Sequence, residues 1–230
     1  MYGLNAMRPP IDQDDESLHT TFAPRFSPGG TDIEELARLV EVMRAHGATT
    51  VKLPGEMVFV WEGKRPLERD AAAAASGYSP INFAKGGVRP VKLCSAETFC
   101  QRFKQPVLGL AEELERRFAD RETGGAKVVI GVAGCQRSCS EPATKDIGIV
   151  AGGEGYKIMV GGMNGFRPRI ATPLMTVATG EEVVAVVDAV LDYVAAHGDF
   201  MNRLGALVDR NGIEPLAAWV AQRTGERTAP

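Results

Sequence analysis

Two amphipathic helices are predicted by the spacing of apolar residues along the chain. Apolar residues recur every three or four positions at 33–43, and a capping-box pattern, Thr-Asp-Ile-Glu at 31–34, precedes them. The same signals return as a capping box at 179–182 and an apolar stripe at 183–194, with Gly198 predicting the end of that helix. Shorter amphipathic patterns predict four further helices, at 95–104, 107–120, 201–209 and 215–222.

Runs rich in Val, Ile, Phe and Thr predict the strands. These runs lie at 19–26, 49–53, 58–61, 127–133, 146–151 and 156–161. The last two flank Gly-Gly-Glu-Gly at 152–155, which is typical of a hairpin turn. The alanine run at 71–75, followed by Gly and Pro residues, indicates a crossover between two lobes. We therefore predict an α+β fold with domains at 1–70 and 71–230, the first of which begins with an irregular polar arm at 1–17.

Composition and charge narrow the class of protein. The chain has 230 residues, 44% of them apolar and 24% charged, as in ordinary soluble globular proteins. A formal net charge of −3 gives no electrostatic reason to expect a nucleic acid or an anionic membrane as a partner. No apolar run approaches the roughly 20 residues that cross a bilayer, and residues 1–10 do not resemble a secretory signal. The expected location is the cytoplasm, where cysteine thiols stay reduced.

The four cysteines form two pairs, Cys94-x5-Cys100 and Cys135-x3-Cys139. Free cysteine is often simply a small buried apolar residue, but both pairs lie beside Gly, Ser and turn residues outside the apolar stripes. A structural zinc ion usually takes pairs separated by roughly two to four residues, which the first pair does not match. An iron–sulfur cube separates its ligands more widely, so the spacing favours a cluster over zinc while leaving all three interpretations open.

Longer motifs around the cysteines are more specific than the spacing. Residues 134–148 read Gly-Cys-Gln-Arg-Ser-Cys-Ser-Glu-Pro-Ala-Thr-Lys-Asp-Ile-Gly and resemble the second cluster motif of sulfite and nitrite reductases, Gly-Cys-Pro-Asn-x-Cys followed by Lys-Asp-Ile-Gly. Residues 160–169 resemble the glycine-rich loop of that family, and 88–100 resemble its first motif, Cys-Pro-Gly-x-x-x-Cys. Residues 203–213 are similar to the tail of the small, single-lobed sulfite reductases. The likeness continues, more weakly but in the same order, at 22–63.

The resemblance implies two cofactors, a 4Fe-4S cluster and a siroheme, that share one thiolate. By its place in the second motif, Cys139 is the expected bridge and the axial ligand of the siroheme iron. Cys94, Cys100 and Cys135 are then expected to hold only the cluster. The fold that the resemblance implies is a small ferredoxin-like N-terminal α/β lobe, followed by a mixed α/β lobe that binds siroheme and the 4Fe-4S cluster.

The resemblance also implies a substrate face built from basic residues. Arg25, Arg89 and Lys127 match family residues that are expected to be catalytic and to bind sulfite or nitrite. Arg and Lys suit this role because they bind oxyanions by charge-assisted hydrogen bonds. Two departures put substrate reduction in question. Val129 stands where relatives carry a second lysine, and Glu56 lies in a turn that touches the cofactor in relatives.

A further set of residues is predicted to contact the carboxylates of siroheme. The set comprises Arg137, Lys145, Gly161, Gly162, Arg167 and Arg169. The glycines would offer backbone N–H groups, whereas each basic residue has an alternative interpretation as a solvated surface charge. A third departure from the family is Ser95-Ala96, which replaces the usual Pro-Gly of the first motif.

The function implied by the resemblance is siroheme-dependent reduction of sulfite to sulfide, with nitrite as the other candidate substrate. The sequence has no flavin fingerprint and no second cluster motif, so we expect electrons from an external donor protein such as ferredoxin. Large relatives have two related halves and this chain resembles one, which predicts a homodimer or a partner subunit. The rival hypothesis is a non-catalytic siroheme and iron–sulfur protein for electron transfer or sensing, because the departures affect the anion site and leave the cysteines intact.

Overall fold

The structure, a computed structural model, describes residues 19–53, 55–81, 86–119, 121–200 and 203–225. These residues form two compact units, one made of 19–25 and 32–81 and the other of 26–31 and 86–225. The predicted arm at 1–17 lies outside the described residues. Apart from the segment 26–31, the chain belongs to the first unit up to residue 81 and to the second unit after it. The predicted boundary after residue 70 falls inside a helix.

The first unit combines an antiparallel sheet with two helices. Its described elements are β1 (Thr20–Phe22), α1 (Ile33–Ala45), β2 (Thr50–Lys52), β3 (Val58–Trp61) and α2 (Pro66–Ser76). The strands are ordered β1-β3-β2, so the two predicted strands at 49–53 and 58–61 are confirmed as neighbours. Leu39 and Met43 of α1 are buried, as are Phe59 and Trp61 of β3, and they form the core of this unit.

Two local predictions for the first unit are corrected. The N-cap of α1 is Asp32 rather than Thr31, and its side chain accepts a hydrogen bond from the Glu35 backbone N–H at 2.7 Å. The alanine run at 71–75 belongs to helix α2 rather than to a crossover, because alanine is the strongest helix former. Gly77, in the left-handed conformation, ends that helix.

The second unit contains the main sheet. Its strands are β4 (Gly87–Val88), β5 (Lys92–Leu93), β6 (Lys127–Val128), β7 (Ile130–Ala133), β8 (Ile147–Gly152), β9 (Gly155–Val160) and β10 (Thr172–Val177). Its helices are α3 (Ala96–Phe99), α4 (Leu108–Phe118), α5 (Gly180–His197), α6 (Leu204–Asn211) and α7 (Glu214–Thr224), and a 3-10 turn spans Pro142–Thr144. The sheet order is β10-β9-β8-β7-β5, parallel from β5 to β8 and antiparallel from β8 to β10. Strands β4 and β6 pair separately, in parallel.

Helix α5 is the central helix of this unit. Thr179 and Glu182 form the predicted capping box at its start. The helix contacts α4, α7 and β9, which is why its valines are buried around most of its circumference. The Trp219 indole of α7 donates a hydrogen bond to the Ala189 carbonyl of α5 at 3.1 Å. In the part of the chain that the structure describes, no helix is long and apolar enough to cross a membrane.

Three predicted elements of the second unit differ from the structure. The strand at 127–133 is interrupted at Val129, because the backbone N–H of Val129 donates to a side chain instead of a neighbouring strand. The helix at 95–104 is shortened to α3, because Cys100 adopts an extended conformation. The helix expected from Met201 begins at Leu204, and Met201 itself lies outside the described residues.

The sequence pattern does not predict strand β10, because Pro173 interrupts the pattern next to a register shift.

Gly148 in β8 has no room for a side chain. A Cβ atom there would lie 2.3 Å from the Pro142 carbonyl oxygen, so the strand or the 3-10 turn would have to move. We expect Gly148→Ala to lower the free energy of unfolding by about 1–3 kcal/mol, as overpacking does elsewhere. Gly153→Ala is the control, because a Cβ there meets no atom within 4 Å. Equal stability of the two variants in urea unfolding would contradict the close contact.

Candidate functional site

Both cysteine pairs begin where neighbouring parallel strands end. Cys94 directly follows β5, and Cys135 follows β7 after a single glycine. Strands β5 and β7 are adjacent and parallel, with Leu93 opposite Val132. The carboxyl ends of parallel neighbours lie at the same edge of a sheet, so the fold brings together two pairs that are far apart in the sequence.

All four cysteines line one cavity of about 190 Å³, which we call the thiol cavity. Cys94, Cys100 and Cys135 are half-buried, Cys139 is exposed, and all four are free thiols. Among the described residues, no three His, Cys, Asp or Glu side chains are placed to hold a single metal ion. The donor set is four soft sulfurs around a space that is much larger than one ion.

Backbone N–H groups point at two of the sulfurs. The Sγ of Cys94 accepts hydrogen bonds from the N–H groups of Ala96 at 3.4 Å and Gly134 at 3.3 Å. The Sγ of Cys100 accepts one from the N–H of Arg102 at 3.4 Å. Hydrogen bonds of this kind raise the reduction potential of a cluster that such sulfurs hold.

Glu97 anchors the loop between Cys94 and Cys100 to helix α4. Its carboxylate accepts hydrogen bonds from the N–H groups of Val107 at 2.9 Å and Leu108 at 3.2 Å, at the start of the helix. Burial opposes ionisation of Glu97, but the bonds outweigh it and lower the pKa of the carboxyl group. The anchor therefore contributes its full stability above the ordinary pKa of glutamate and loses it only as the pH falls through the lowered value.

Left-handed backbone shapes both cysteine loops. The φ angle is 48° at Ala96, 54° at Ser138 and 55° at Glu141. The Ser138 N–H donates to the Cys135 carbonyl at 3.1 Å, and the Glu141 N–H donates to the Ser138 carbonyl at 2.8 Å. Cys139 therefore lies within the second of two consecutive turns and is exposed at the rim of the thiol cavity.

Cys139 also borders a second cavity, of about 420 Å³, which we call the anion cavity. Four basic side chains line it: Lys92, Lys127, Lys145 and Arg203. Glu141 lines it too, and its carboxylate pairs with the Nζ of Lys145 at 3.1 Å, so the remaining charge of the cavity wall is positive. Of the four cysteines, all of which the structure describes, Cys139 alone lines both cavities.

A buried carboxylate holds Arg203 at the wall of the anion cavity. Asp146 is fully buried, and its carboxylate oxygens accept two hydrogen bonds from Arg203. One comes from Nε at 3.2 Å and the other from one Nη of the arginine. The Val129 backbone N–H donates to the same carboxylate at 2.8 Å. Burial raises the pKa of the Asp146 carboxyl group, and the charge of Arg203 opposes that rise. The pair therefore depends on both partners, because a lone buried carboxylate is costly.

The ammonium group of Lys127 lies in a positive field. Although the residue is exposed as a whole, loss of hydration at its ammonium group is the largest cause of its lowered pKa. The positive charges of Arg203, Arg89 and Lys92 lower that pKa further, while Asp146 opposes them. The structure thus brings together Arg89 and Lys127, two of the three predicted catalytic residues, and adds two cations to them.

The other predicted basic residues are distributed more widely. Lys145 lines the anion cavity, as predicted for a siroheme contact, whereas Arg137 lines the thiol cavity. Arg167 is exposed in the loop that follows β9. Arg25 and Glu56 belong to the first unit, and their predicted contacts with substrate and cofactor stay predictions.

The predicted siroheme contacts of Gly161 and Arg169 stay predictions, and several polar groups of both residues are used within the protein. The Gly161 N–H donates to the Asp146 carbonyl at 2.8 Å, and its carbonyl accepts from the Nε of Arg169 at 2.7 Å. Arg169 also forms an ion pair with Asp209 of α6. Gly162 serves close packing, since a Cβ there would lie 2.6 Å from a backbone carbonyl oxygen.

Sequence analysis missed Lys92 and Arg203 as lining residues of the anion cavity, and Asp146 as the buried partner of Arg203. A signal was available, because Asp146 belongs to the second cluster motif and Arg203 begins the tail motif. The two residues are 57 positions apart, however, and a motif does not say which residues of another motif it meets. The two residues meet because the fold brings the start of α6, at Arg203, to the residue that precedes β8, Asp146.

Comparison with known proteins assigns the family. Residues 84–228 match the family described as "Nitrite and sulphite reductase 4Fe-4S domain", and this segment contains all four cysteines. The chain belongs to this family. Membership confirms the resemblance seen in the sequence, and the 4Fe-4S cluster and siroheme as the cofactors of the family.

Similar proteins include both nitrite and sulfite reductases. An NAD(P)H nitrite reductase of Bacillus subtilis is 30% identical over 194 residues, which are 83% of this chain and 24% of that protein. An assimilatory-type sulfite reductase of Nitratidesulfovibrio vulgaris is 26% identical over 129 residues, 56% of this chain and 59% of that one. The chain therefore spans about a quarter of the length of the first relative and somewhat more than half of the second.

Solved structures support the fold. A crystal structure of dissimilatory sulfite reductase I superposes with a TM-score of 0.74 at 13% identity, over 92% of this chain and 70% of that chain. The NirA protein of Mycobacterium tuberculosis superposes with a TM-score of 0.65 at 20% identity, over 86% of this chain and 39% of that chain. The mixed α/β class that the sequence predicted is confirmed.

The residues of the two cavities fit the two cofactors chemically. Thiolates are the ligands of 4Fe-4S clusters, and four thiols line a single cavity that also receives backbone N–H groups. Siroheme carries many carboxylates, and the adjoining cavity is lined with Lys and Arg. Cys139 at the common border is placed to be a ligand in both.

Ala96 stands at the position of the glycine in the first cluster motif and has a positive φ. Glycine adopts this conformation without steric cost, so we expect Ala96→Gly to raise the free energy of unfolding by about 1 kcal/mol. Ala218→Gly, at an exposed position inside α7, should instead lower it by about 1 kcal/mol. Denaturant unfolding of the protein with its cofactors measures both. A loss of stability in both variants would contradict the left-handed conformation of Ala96.

Proposed function

We propose that the protein is a siroheme-dependent reductase of sulfite or nitrite. The observation that carries the proposal is the border between the two cavities, where Cys139 is common to a wall of thiols and a wall of cations. A ligand shared between a cluster and a siroheme iron requires this arrangement. The thiol cavity stores and delivers electrons when it is loaded, and the anion cavity binds the molecule to be reduced.

The metal ligands that we propose are Cys94, Cys100, Cys135 and Cys139. The first three border only the thiol cavity and would hold the cluster alone. A bound cluster and siroheme would supply the electrons for reduction of an oxyanion, and these four thiols are the residues that would hold them. The protein contributes the backbone hydrogen bonds that the sulfurs of Cys94 and Cys100 accept, which orient both side chains in a half-buried site.

The substrate-binding residues that we propose are Arg89 and Lys127. Arg89 is buried, its backbone N–H donates to the Val128 carbonyl at 2.8 Å, and its charge acts on the ammonium group of Lys127. Clustered cations bind an oxyanion and can donate protons as its bonds to oxygen break. Arg25 is retained in the proposal on its motif position alone.

Sulfite and nitrite are each favoured by a different observation. Sulfite is favoured by the relative of comparable size, the assimilatory-type sulfite reductase, of which the chain spans 59%. Nitrite is favoured by the Bacillus subtilis nitrite reductase, which matches 83% of the chain at 30% identity. Reduction of sulfite to sulfide remains our first assignment, and reduction of nitrite to ammonia is the second.

We also propose an external electron donor with an acidic surface, such as a ferredoxin. Phe99 is 81% exposed and Phe103 is 38% exposed beside the thiol cavity, and Arg102, Lys104 and Arg137 are exposed around them. A surface that combines aromatic and basic side chains is complementary to an acidic protein. A homodimer or a partner subunit stays part of the proposal, as does a reducing compartment such as the cytoplasm, which would keep the four thiols reduced.

The alternative function is that of a siroheme and iron–sulfur protein that transfers or senses electrons without reducing a substrate. Val129 favours this alternative, because it presents an apolar side chain to the anion cavity. The two functions differ in one measurable property, the reduction of sulfite or nitrite by the purified protein with reduced methyl viologen.

Replacing Arg89 or Lys127 by Ala should lower kcat/KM for the preferred substrate without changing the siroheme spectrum. The expected loss is that of one charged hydrogen bond, about 1.5–3 kcal/mol. Arg116→Ala is the control, because Arg116 forms an exposed ion pair with Glu113 on α4 and should change kcat/KM little. Unchanged kinetics in both site variants would remove Arg89 and Lys127 from the site. Absence of reduction by the wild-type protein with either substrate would favour the non-catalytic alternative.

A further inference from the structure

We infer that Arg203 is a second anion-binding residue of the anion cavity, acting beside Lys127 and held in place by Asp146. The ligand that it binds is an oxyanion, either the substrate or a carboxylate of siroheme. The inference deepens the proposed function and rests on it, since it concerns the same cavity.

The contacts of Arg203 fix the direction of its side chain. Asp146 is buried, and it receives the Nε and one Nη of Arg203 on its two oxygens. A guanidinium group carries donors on three nitrogens, so this ion pair uses one edge and leaves the other Nη outside it. The side chain keeps 26% of its surface exposed, and Arg203 lines the anion cavity. The Asp146 carboxylate thus holds Arg203 in place at the wall of the anion cavity.

The position of Arg203 matches the place where the cavity wall lacks a charge. Val129 lines the same cavity with an apolar side chain, and its backbone N–H donates to the carboxylate that holds Arg203. A lysine at 129 would project its charge from the same wall. Arg203 reaches this wall from the start of α6 and supplies a positive charge there.

The positive charge of Arg203 acts on Lys127, another residue of the anion cavity. Among the neighbouring charges that act on the ammonium group of Lys127, Arg203 has the largest effect, followed by Arg89. The positive charges of Lys127 and Arg203 repel each other, and an oxyanion bound between the two side chains would reduce that repulsion. Glu141, the acidic side chain on the wall, is already paired with Lys145. The cavity therefore has a local excess of positive charge at Lys127 and Arg203.

The test removes the charge of Arg203 without leaving a buried carboxylate. The double variant Asp146→Asn/Arg203→Met deletes both charges, and the asparagine can still accept the Val129 N–H. In the protein with its cofactors, sulfite is titrated and binding is followed by the optical spectrum, while siroheme content per chain is measured after purification. Asp146→Asn alone is the matched control, because it keeps the charge of Arg203. Adding Val129→Lys to the double variant restores a cation at the same wall.

We expect the double variant to bind sulfite roughly 10- to 100-fold more weakly at unchanged siroheme content, the loss of one charged hydrogen bond. Asp146→Asn alone should lose less, and Val129→Lys should restore most of the affinity. If siroheme content falls in the double variant and recovers with Val129→Lys, the oxyanion is a siroheme carboxylate. Sulfite binding should weaken at alkaline pH as Lys127 loses its proton, and this loss should occur at higher pH in the double variant than in the wild type. Removing Arg203 relieves the repulsion that lowers the pKa of Lys127, and this outweighs the loss of the opposing charge of Asp146, which has the smaller effect on that pKa.

A double variant with wild-type sulfite affinity and wild-type siroheme content would overturn the inference. So would a loss of both properties that Val129→Lys does not reverse. Because the readouts are binding and cofactor content, they do not require turnover. A wild-type protein that binds sulfite but reduces neither substrate would contradict the proposed function and leave the role of Arg203 intact.

Discussion

The parallel pairing of β5 with β7 is the constraint on which the site depends. Each strand delivers a cysteine at its carboxyl end, and the pairing places those ends side by side. The Cys94 N–H donates to the Val132 carbonyl at 3.1 Å, so the hydrogen-bonded ladder extends to Cys94. The Gly134 N–H then donates to the Cys94 sulfur. A shift of register between these two strands would separate the thiols and move the backbone N–H donors away from the Cys94 sulfur.

The turns after Cys135 convert this edge into a border between two cavities. Left-handed backbone at Ser138 and Glu141 reverses the chain twice within a few residues. Ser140 is buried between them and donates its hydroxyl to the Val132 carbonyl at 2.6 Å, which fixes the turns to the sheet. Cys139 is left exposed between a cavity of sulfurs and a cavity of cations. The two halves of the site are thus joined through one residue.

The sequence allowed much of the fold to be predicted where the pattern is local. Helix α5 and the hairpin of β8 and β9 follow directly from a capping box, a stripe of valines and a glycine turn. The predictions failed where a long-range contact decides the conformation. Asp146 takes the N–H of Val129 out of its ladder, and the extended backbone at Cys100 ends α3 early. Neither effect is visible in a window of neighbouring residues.

For the site, motifs predicted the cysteines but gave a mixed result for the groups around them. The four thiols do meet in one cavity, and Lys127 and Lys145 do border the adjoining one. Gly161 and Arg169, which are predicted cofactor contacts, bond to each other within the fold, and their contacts with a cofactor stay predictions. Arg203 was missed because its partner lies 57 residues away. Residue types alone do not tell a buried structural arginine from one that faces a ligand, since that depends on which edge of the guanidinium is already used.

The central claim is that Cys139 joins the cluster to the siroheme iron, and electron paramagnetic resonance of Cys139→Ser tests it most directly. Serine is a harder and much less acidic ligand than cysteine, so it replaces a thiolate poorly. The claim predicts that the purified variant keeps residual siroheme, held by basic residues, with an altered high-spin ferric signal and with iron and sulfide content reduced. Cys100→Ser, which removes a thiol that borders only the thiol cavity, should lose the cluster while the siroheme iron keeps its thiolate-type signal. A ferric siroheme signal in Cys139→Ser that is indistinguishable from wild type would contradict the claim.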